Sequence, residues 1–257
     1  MSQYRLNLFD FLRIKLHSKN LQIMSNSALL KSSLAKKYWM SITGLFLILF
    51  LVGHLAGNIP LMFEINKDTA HGFNQYAKFM SENPLVQIVA WIVKIAIIFH
   101  AVDGVLLTMQ NQKARPVKYK VENANANSSW FSRSMMPMGL LIFAFVTIHL
   151  VNFWAKMHYG DIPTYKMHGE EYTDLYTVVM KFFGKDDLAI LWIAIYILGM
   201  VALSFHLIHG FASAFQSVGL RHKKYTPIIE KVGYAFAIIF PLIFALIPIV
   251  IHIRVNG

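Results

Sequence analysis

Residues 44–58 read Gly-Leu-Phe-Leu-Ile-Leu-Phe-Leu-Val-Gly-His-Leu-Ala-Gly-Asn, an apolar run with no formal charge and a single histidine, His54. The run lies inside a longer apolar stretch, residues 39–63, which as a helix is long enough to cross a hydrocarbon layer of about 30 Å. Soluble helices rarely stay apolar on all faces over about 20 residues. The stretch therefore predicts a transmembrane helix with an ionisable side chain inside it.

Four further stretches of the same kind follow, so we predict an all-α integral membrane bundle of five transmembrane helices. Only 14% of the 257 residues are charged, against about 25% in soluble domains. Pro241 and Pro248 lie in the last stretch and are tolerated as kinks that neighbouring helices support. The predicted spans are residues 39–63, 85–109, 135–155, 188–215 and 232–253.

The basic residues predict the direction in which the chain crosses the membrane. Sixteen Lys and Arg residues lie in the N-terminal segment and in the loops after the second and fourth spans, and seven lie on the opposite side. The positive-inside rule predicts a cytoplasmic N-terminus and an external C-terminus. We expect the membrane to be a bacterial cytoplasmic (inner) membrane. We expect a cytoplasmic segment over residues 1–35, starting at Met1 or Met24, and a membrane domain over residues 36–257. The external segment 156–187 is expected to be a surface cap or a short amphipathic helix.

The absence of cysteine and the placement of the charges exclude several classes of function. Without thiolates the chain cannot form disulfides, hold an iron–sulfur cluster or bind haem through sulfur. A metal site therefore has to use His, Met or carboxylates. The formal charge of +11 comes from residues that flank apolar spans, which indicates membrane topology and no nucleic-acid partner.

Five histidines lie inside the predicted spans, and four of them pair by depth. His54 and His149 lie about 22 and 21 Å from the cytoplasmic edge, whereas His100 and His206 both lie about 14 Å from it. Each pair comes from two different helices, as two haems need when each iron is held by two axial imidazoles. Such a haem has no open site for oxygen, so the predicted chemistry is electron transfer. The alternative for each histidine is a hydrogen bond between helices.

His209 is the alternative to His206 as the ligand on the fourth span. It would lie only about 9 Å from the cytoplasmic edge, which is a worse match to His100. It follows His206 by three residues and shares roughly the same helix face. We predict His206 as the ligand and His209 as a contact of a haem propionate or a quinone.

The segments that carry these histidines resemble the cytochrome b membrane-anchor subunit of succinate:quinone oxidoreductase (succinate dehydrogenase or fumarate reductase), in its single-subunit, two-haem form. The resemblance covers four of the five spans in the same order, about residues 36–225. The matching segments are Gly44–Asn58, Phe73–Met80, His100–Gly104, Phe145–His149 and Phe205–Gly210.

The resemblance implies two haems b, with outer ligands His54 and His149 and inner ligands His100 and His206. It also implies a flavoprotein subunit with covalent FAD and an iron–sulfur subunit docked on the cytoplasmic face, where the succinate chemistry takes place. Electrons are expected to pass from the iron–sulfur subunit through the inner and outer haems to a quinone, of the menaquinone type, near the outer face. His209 is a departure, because other members of the family can have a different residue there, and it leaves the fourth-span ligand open between two histidines.

Further site residues are expected on both sides of the membrane. On the cytoplasmic side Ser41, Arg133 and Arg221 are candidate partners for haem propionates, although flanking of a span also explains the two arginines. On the outer side, reduction of a quinone needs two protons, so a hydrogen-bonding group is expected near the outer haem. The quinone candidates that follow the first span are Asn58, Glu64, His71 and Tyr76.

Three alternatives stay open at this point. Asp103 and Lys94, both in the second span, could pair with each other and form a proton relay with the histidines of a haem-free transporter. The chain could instead be the cytochrome b anchor of a hydrogenase or formate dehydrogenase, or a haem-free structural anchor. An absorbance spectrum separates the haem-bearing alternatives from the haem-free ones. The physiological direction of the reaction and the oligomeric state also stay open.

Overall fold

Each predicted apolar stretch forms a long helix. The computed structural model describes residues 33–63, 66–114 and 130–257, and within them five helices are long and apolar enough to cross a membrane. The prediction of five spans is confirmed, with ends that differ from the predicted ones by up to six residues because polar turns continue the helices. The spans are Leu34–Met62, Pro84–Lys113, Met135–Tyr159, Ala189–Ser217 and Thr226–Asn256.

Two of the spans are not regular α-helices throughout. The first consists of the α-helix Ser33–Asn58 and a 3₁₀ turn, Ile59–Met62. The third consists of the α-helix Met135–His149, a π-helical turn Leu150–Ala155 and the helical turn Lys156–Tyr159. In both cases the irregular turn lies within a few residues of a histidine that the sequence assigns to a site.

The outer surface of the bundle is apolar, as expected for contact with lipid. Leu85 is 74% exposed and Ile190 is 72% exposed, and the most apolar stretch of the third span contains no buried residue. A continuous exposed apolar surface of this kind is unfavourable in water. In a bilayer it contacts acyl chains, while the helices satisfy their own backbone hydrogen bonds.

The first four spans close into a four-helix bundle. The first packs against the second, the second against the third, the third against the fourth, and the fourth against the first. The fifth span packs outside this ring, mainly against the fourth, where the Ser204 hydroxyl donates to the Ala237 carbonyl oxygen at 2.7 Å. Gly199 allows the third and fourth spans to approach, because a Cβ there would lie 2.6 Å from the Phe145 ring.

A group of short elements covers one end of the bundle, and we call it the cap. It consists of the helix Lys67–Glu82, the antiparallel strands β1 (Thr164–Met167) and β2 (Glu170–Thr173), and the helix Leu175–Met180 with its π-helical turn Lys181–Lys185. The end of the fifth span also meets the cap. There Asn256 donates to the Gly184 carbonyl oxygen at 2.8 Å.

Asn74 is the buried polar centre of the cap. Only 1% of it is exposed. Its Nδ2 donates to Asp174 Oδ1 at 2.9 Å, and its Oδ1 accepts from the backbone N–H of Tyr176 at 2.8 Å. Because both polar atoms of the amide have partners, Asn74 fixes the helix Lys67–Glu82 to the segment that follows the hairpin.

The cap contains two features that the sequence prediction misses. Segment 156–187 includes a β-hairpin beside a short helix, because His168 and Gly169 both have positive φ, at 53° and 82°, as a tight type I′ turn requires. The connection after the first span contains a 16-residue helix, whose N-terminus is capped by Asn66 Oδ1 accepting from Thr69 N–H at 2.8 Å. The all-α prediction therefore holds for the spans and omits the hairpin.

The main hydrophobic core lies between the cap and the cap-side half of the bundle. It joins side chains of the cap to side chains of the first, fourth and fifth spans. Its buried members include Leu55, Phe73, Phe183, Tyr196 and Ile251.

Candidate functional site

The histidines that the sequence pairs by their depth in the membrane have neighbouring imidazole rings in the structure. His54 and His149 have ring centroids 5.8 Å apart, with planes at 86°. His100 and His206 have ring centroids 6.0 Å apart, with planes at 73°. The first pair lies at the end of the bundle that carries the cap, and we call it the cap-side pair. The second is the far-side pair.

Each pair links helices at opposite corners of the four-helix bundle. The cap-side pair joins the first and third spans, and the far-side pair joins the second and fourth spans, whereas the extensive helix contacts run between adjacent spans. The imidazoles therefore point from opposite corners into the common interior at two levels. Bundle interiors of this kind are where cofactor and metal sites are built from facing helices.

The separation of the two rings in each pair fits one iron between them. Bonds between a metal and an imidazole nitrogen are about 2.0–2.1 Å long, and the ring centre lies about 1.1 Å behind that nitrogen, so two imidazoles across one iron have centroids roughly 6 Å apart. The described residues contain no group of three or more His, Cys, Asp or Glu side chains that could hold a bare metal ion. Two facing imidazoles instead suit a haem iron, whose remaining four ligands come from the porphyrin.

The cap-side pair is enclosed by aromatic side chains. The His54 ring stacks on Phe50 at 5.3 Å and lies 5.6 Å from Phe244, while His149 lies within 6.0 Å of Phe145 and 5.5 Å of Phe153. These rings belong to the first, third and fifth spans and pack next to the main hydrophobic core. The pair therefore lies in a dry, apolar part of the bundle.

His149 has a hydroxyl partner on a neighbouring helix. The Tyr196 hydroxyl of the fourth span lies 3.4 Å from His149 Nδ1 and 3.5 Å from Asn152 Nδ2. Asn152 lies in the π-helical turn that begins directly after His149, and single π-helical turns occur frequently at functional sites. An imidazole that donates from Nδ1 has its Nε2 lone pair free for a metal.

The far-side pair has a different hydroxyl partner. Thr43 Oγ1 of the first span lies 3.2 Å from His100 Nδ1 and donates to the Trp39 carbonyl oxygen at 2.7 Å, so it is placed to accept from the imidazole. Gly44 of the first span also leaves room for the His100 ring, because a Cβ at Gly44 would lie 3.2 Å from His100 Cε1. With Nδ1 bonded to the hydroxyl, the Nε2 lone pair of His100 is again free for a metal.

The second member of the far-side pair has an unsatisfied polar atom. His206 Nδ1 is buried and has no hydrogen-bond partner among the described residues. Buried polar atoms without partners are rare in native proteins, and each indicates a missing group or a functional role. His206 therefore lacks the hydroxyl partner that His100 has in Thr43, and it is the ring separation of 6.0 Å that fits an iron held between the two rings.

His209 lies apart from the facing rings. It lines a cavity of about 580 Å³ at the far end of the bundle, between the fourth and fifth spans. Arg221, a predicted propionate partner, lines the same cavity, together with Glu230 and Lys231. The structure thus brings His206 to face His100 and places His209 in the lining of a separate cavity one helical turn away.

The other cytoplasmic-side candidates are placed less specifically. Ser41 is only 5% exposed, and its hydroxyl donates to the Lys37 carbonyl oxygen of its own helix at 2.8 Å. Arg133 is exposed at the end of the helical turn Trp130–Arg133. Of the three predicted propionate partners, Arg221 is therefore the one that the structure brings to a cavity next to a site histidine.

The predicted quinone candidates fall into two places, and Glu64 lies outside the described residues. Asn58 donates to the His54 carbonyl oxygen at 2.7 Å. The Tyr76 ring packs against Gly57, on the helical turn after His54, because a Cβ at Gly57 would lie 2.7 Å from the Tyr76 hydroxyl oxygen. His71 instead faces the hairpin, where its Nδ1 lies 3.0 Å from the Tyr165 hydroxyl.

The charged residues of the second span do not pair with each other. Asp103 forms no ion pair with a described residue. The Lys94 ammonium lies between two indoles, 4.3 Å from the Trp91 ring and 4.4 Å from the Trp154 ring. A proton relay that runs directly from Lys94 to Asp103 is therefore not built into the described part of the bundle.

Sequence reasoning misses the hydroxyl partners Thr43 and Tyr196 and the amide of Asn152. All three are polar side chains inside apolar spans, which is the signal that could have found them. No family model, curated protein or solved structure matches the chain. What can be said of the site comes from its own residues: two imidazole pairs across the bundle, each with a ring separation that fits one metal ion held between the rings.

Proposed function

We propose that the chain is the membrane-anchor cytochrome b subunit of a succinate:menaquinone oxidoreductase, with two bis-histidine haems b. The observation that carries the proposal is the pair of ring separations, 5.8 and 6.0 Å, across opposite corners of one four-helix bundle. When bound, haem supplies one-electron transfer without a free site for oxygen. The resemblance noted in the sequence supplies the class of partner dehydrogenase.

The protein residues hold and orient the two sites. His54 and His149 would hold a haem iron at the cap-side site through their imidazole nitrogens, and His100 and His206 would hold one at the far-side site. The hydroxyls of Tyr196 and Thr43 fix one imidazole of each pair, which sets ring orientation and raises ligand basicity. The aromatic side chains around the cap-side pair exclude water from it.

The quinone is proposed to react at the cap end of the bundle. The Tyr76 hydroxyl packs against the helical turn that follows His54, so it can donate a hydrogen bond to a quinone oxygen close to the cap-side site. Asn58, whose amide is held by the His54 carbonyl oxygen, orients this turn. His71 is held by Tyr165 and belongs to the scaffold of the cap.

The partner subunits are proposed to dock at the far end, which the positive-inside rule assigns to the cytoplasm. Exposed basic residues gather there, among them Lys37, Arg221, Lys223 and Lys224. We propose a flavoprotein with FAD and an iron–sulfur subunit as the partners. The cavity lined by His209 and Arg221 lies at the same end and offers a positive environment for haem propionates.

A reduced-minus-oxidised absorbance spectrum with a haem-to-protein ratio tests the proposal. We expect two b-type signals with different midpoint potentials and two haems per chain. A colourless preparation from haem-sufficient cells would reject the electron-carrier function and leave the membrane topology intact. Co-purified flavin with succinate-dependent quinone reduction would identify the dehydrogenase, and hydrogen- or formate-dependent reduction would assign a different one.

A further inference from the structure

Lys94 is a cation inside the second span that no described carboxylate neutralises. It lies ten residues after Pro84, and its ammonium is sandwiched between Trp91 of its own helix and Trp154 of the third span, at 4.3 and 4.4 Å. The ion pair found among the described residues is elsewhere, between Lys78 and Glu170. Cation–π contacts lower the energy of the ammonium and leave its full positive charge in place.

The position of Lys94 along its helix shows where the ammonium lies in the membrane. Side chains on a helix point towards its N-terminus, and the second span begins at the cap end. The Lys94 stem therefore carries the charge towards the cap-side surface of the bilayer, as a snorkelling lysine does. Trp154, whose ring centroid lies 4.6 Å from that of His158, is five residues from the end of its span, at the depth where indoles mark the membrane interface.

The surface around the Lys94 ammonium is open to lipid. Trp91 is 56% exposed and Ile88 is 57% exposed on the same helix. These side chains offer apolar contact to an acyl chain directly beside the charge. A ligand that fits both features carries an anionic group at the interface and an apolar chain below it.

We propose that Lys94, Trp91 and Trp154 form a binding site for the phosphate group of a membrane phospholipid. The ammonium donates to a phosphate oxygen at the interface, and the two indoles hold the ammonium in place and cover the upper part of the acyl chain. The site faces lipid on the cap-side half of the bundle and is independent of the haem proposal. It gives the second and third spans a shared lipid, at a corner where their direct contact is limited.

Native mass spectrometry of the detergent-purified full chain, titrated with phosphatidylglycerol, tests the site. We expect Lys94→Met to weaken the tightest phospholipid adduct about fivefold, the contribution of one basic residue to the binding of an anionic lipid. Lys94→Arg should retain the wild-type affinity within about twofold. The matched control is Lys156→Met, because Lys156 is an exposed lysine at the same end of the third span, two residues from Trp154.

Two further titrations of the wild-type chain keep the test decisive even if Lys94→Met does not fold. Diacylglycerol, which has the acyl chains without the phosphate, should bind more weakly than phosphatidylglycerol. Inorganic phosphate at millimolar concentration should not displace the lipid. Equal binding of diacylglycerol, displacement by free phosphate, or unchanged lipid binding in Lys94→Met would each overturn the proposal.

Discussion

The cap-side and far-side histidine pairs have nearly equal ring separations, 5.8 and 6.0 Å, and different neighbours. Aromatic rings and the main hydrophobic core enclose His54 and His149, whereas the far-side pair lies close to a cavity that holds His209 and Arg221. In each pair one imidazole has a hydroxyl partner, Tyr196 or Thr43. Under the proposed function, this difference corresponds to two haem sites with the same type of ligand, whose environments can be changed separately.

Loss of an axial imidazole is the largest effect that the two-site arrangement predicts. His54→Ala should remove the cap-side haem and His206→Ala the far-side haem, each leaving one haem per chain, because a single remaining imidazole does not hold the iron axially on both sides. Redox-resolved difference spectra and a pyridine haemochrome assay measure the two signals separately.

The matched control for the far-side pair is His209→Ala, three residues along the same helix. This variant should retain both haems, because His209 lines the cavity and does not face His100. If His206→Ala keeps both signals and His209→Ala loses one, the ligand on the fourth span is His209 and the ring contact between His100 and His206 has another purpose.

The sequence predicts the number of spans and the depth of each histidine, because the length of an apolar run and the rise per residue of a helix do not depend on how the helices pack. The five spans follow from runs of about 20 apolar residues, and the pairing of His54 with His149 follows from depth alone. Depth does not determine how each helix is rotated about its own axis. The sequence therefore could not identify Thr43 as the partner of His100 or Tyr196 as the partner of His149. The hairpin was missed because its tight turn depends on positive φ at His168 as well as Gly169.

The cap should stabilise the cap-side pair selectively. Asn74→Ala leaves the buried Tyr176 N–H without its partner and removes one of the hydrogen bonds that the Asp174 carboxylate accepts, which costs roughly 2 kcal/mol. The core that joins the cap to Tyr196 then loosens first, so heating should release the cap-side haem at a lower temperature than in the wild type. Absorbance followed during a thermal ramp measures both signals.

Asn66→Ala is the control for the cap because it lies on the same helix at an exposed N-terminus. Its side chain accepts one hydrogen bond, from Thr69 N–H, and its loss costs about 1 kcal/mol. A release temperature lowered as much in Asn66→Ala as in Asn74→Ala would show that helix stability, and not the buried amide, holds the cap in place.

The hydroxyl partners should tune the two sites one at a time. Tyr196→Phe removes the oxygen next to His149 Nδ1, which makes the imidazole a weaker donor to the iron and raises the midpoint potential of the cap-side haem. A hydrogen bond of about 1 kcal/mol corresponds to a shift of at most about 40 mV for one electron. Thr43→Val should produce the same change in the far-side signal. A potentiometric titration that finds either shift in the other haem would show that the assignment of partners to pairs is reversed.

The smallest effect concerns pH and should reach the cap-side pair alone. The Lys78 ammonium, hydrogen-bonded to Glu170 at 3.0 Å, holds the pKa of that carboxyl below its ordinary value of 4.5, and Glu170 raises the pKa of Lys78. The Glu170 side chain is 61% exposed and that of Lys78 is 23% exposed, so water screens the pair and its contribution is slight. A lowered carboxyl pKa stabilises the folded cap above the unfolded value, and this contribution is lost as pH falls through the folded pKa.

Glu170→Gln isolates that contribution, because it removes the carboxylate charge and keeps the Lys78 ammonium over the Tyr172 ring and bonded to the Glu171 carbonyl oxygen. The thermal release of the cap-side haem should occur slightly earlier in the variant at pH 7, and the difference from the wild type should vanish as the pH falls below 4.5. The far-side release should coincide in both proteins at every pH, because that pair lies at the level of the bundle away from the cap. An equal shift in the temperature at which the far-side haem is released would show that the two ends of the bundle unfold as one unit. The two sites would then differ in their chemistry and not in their stability.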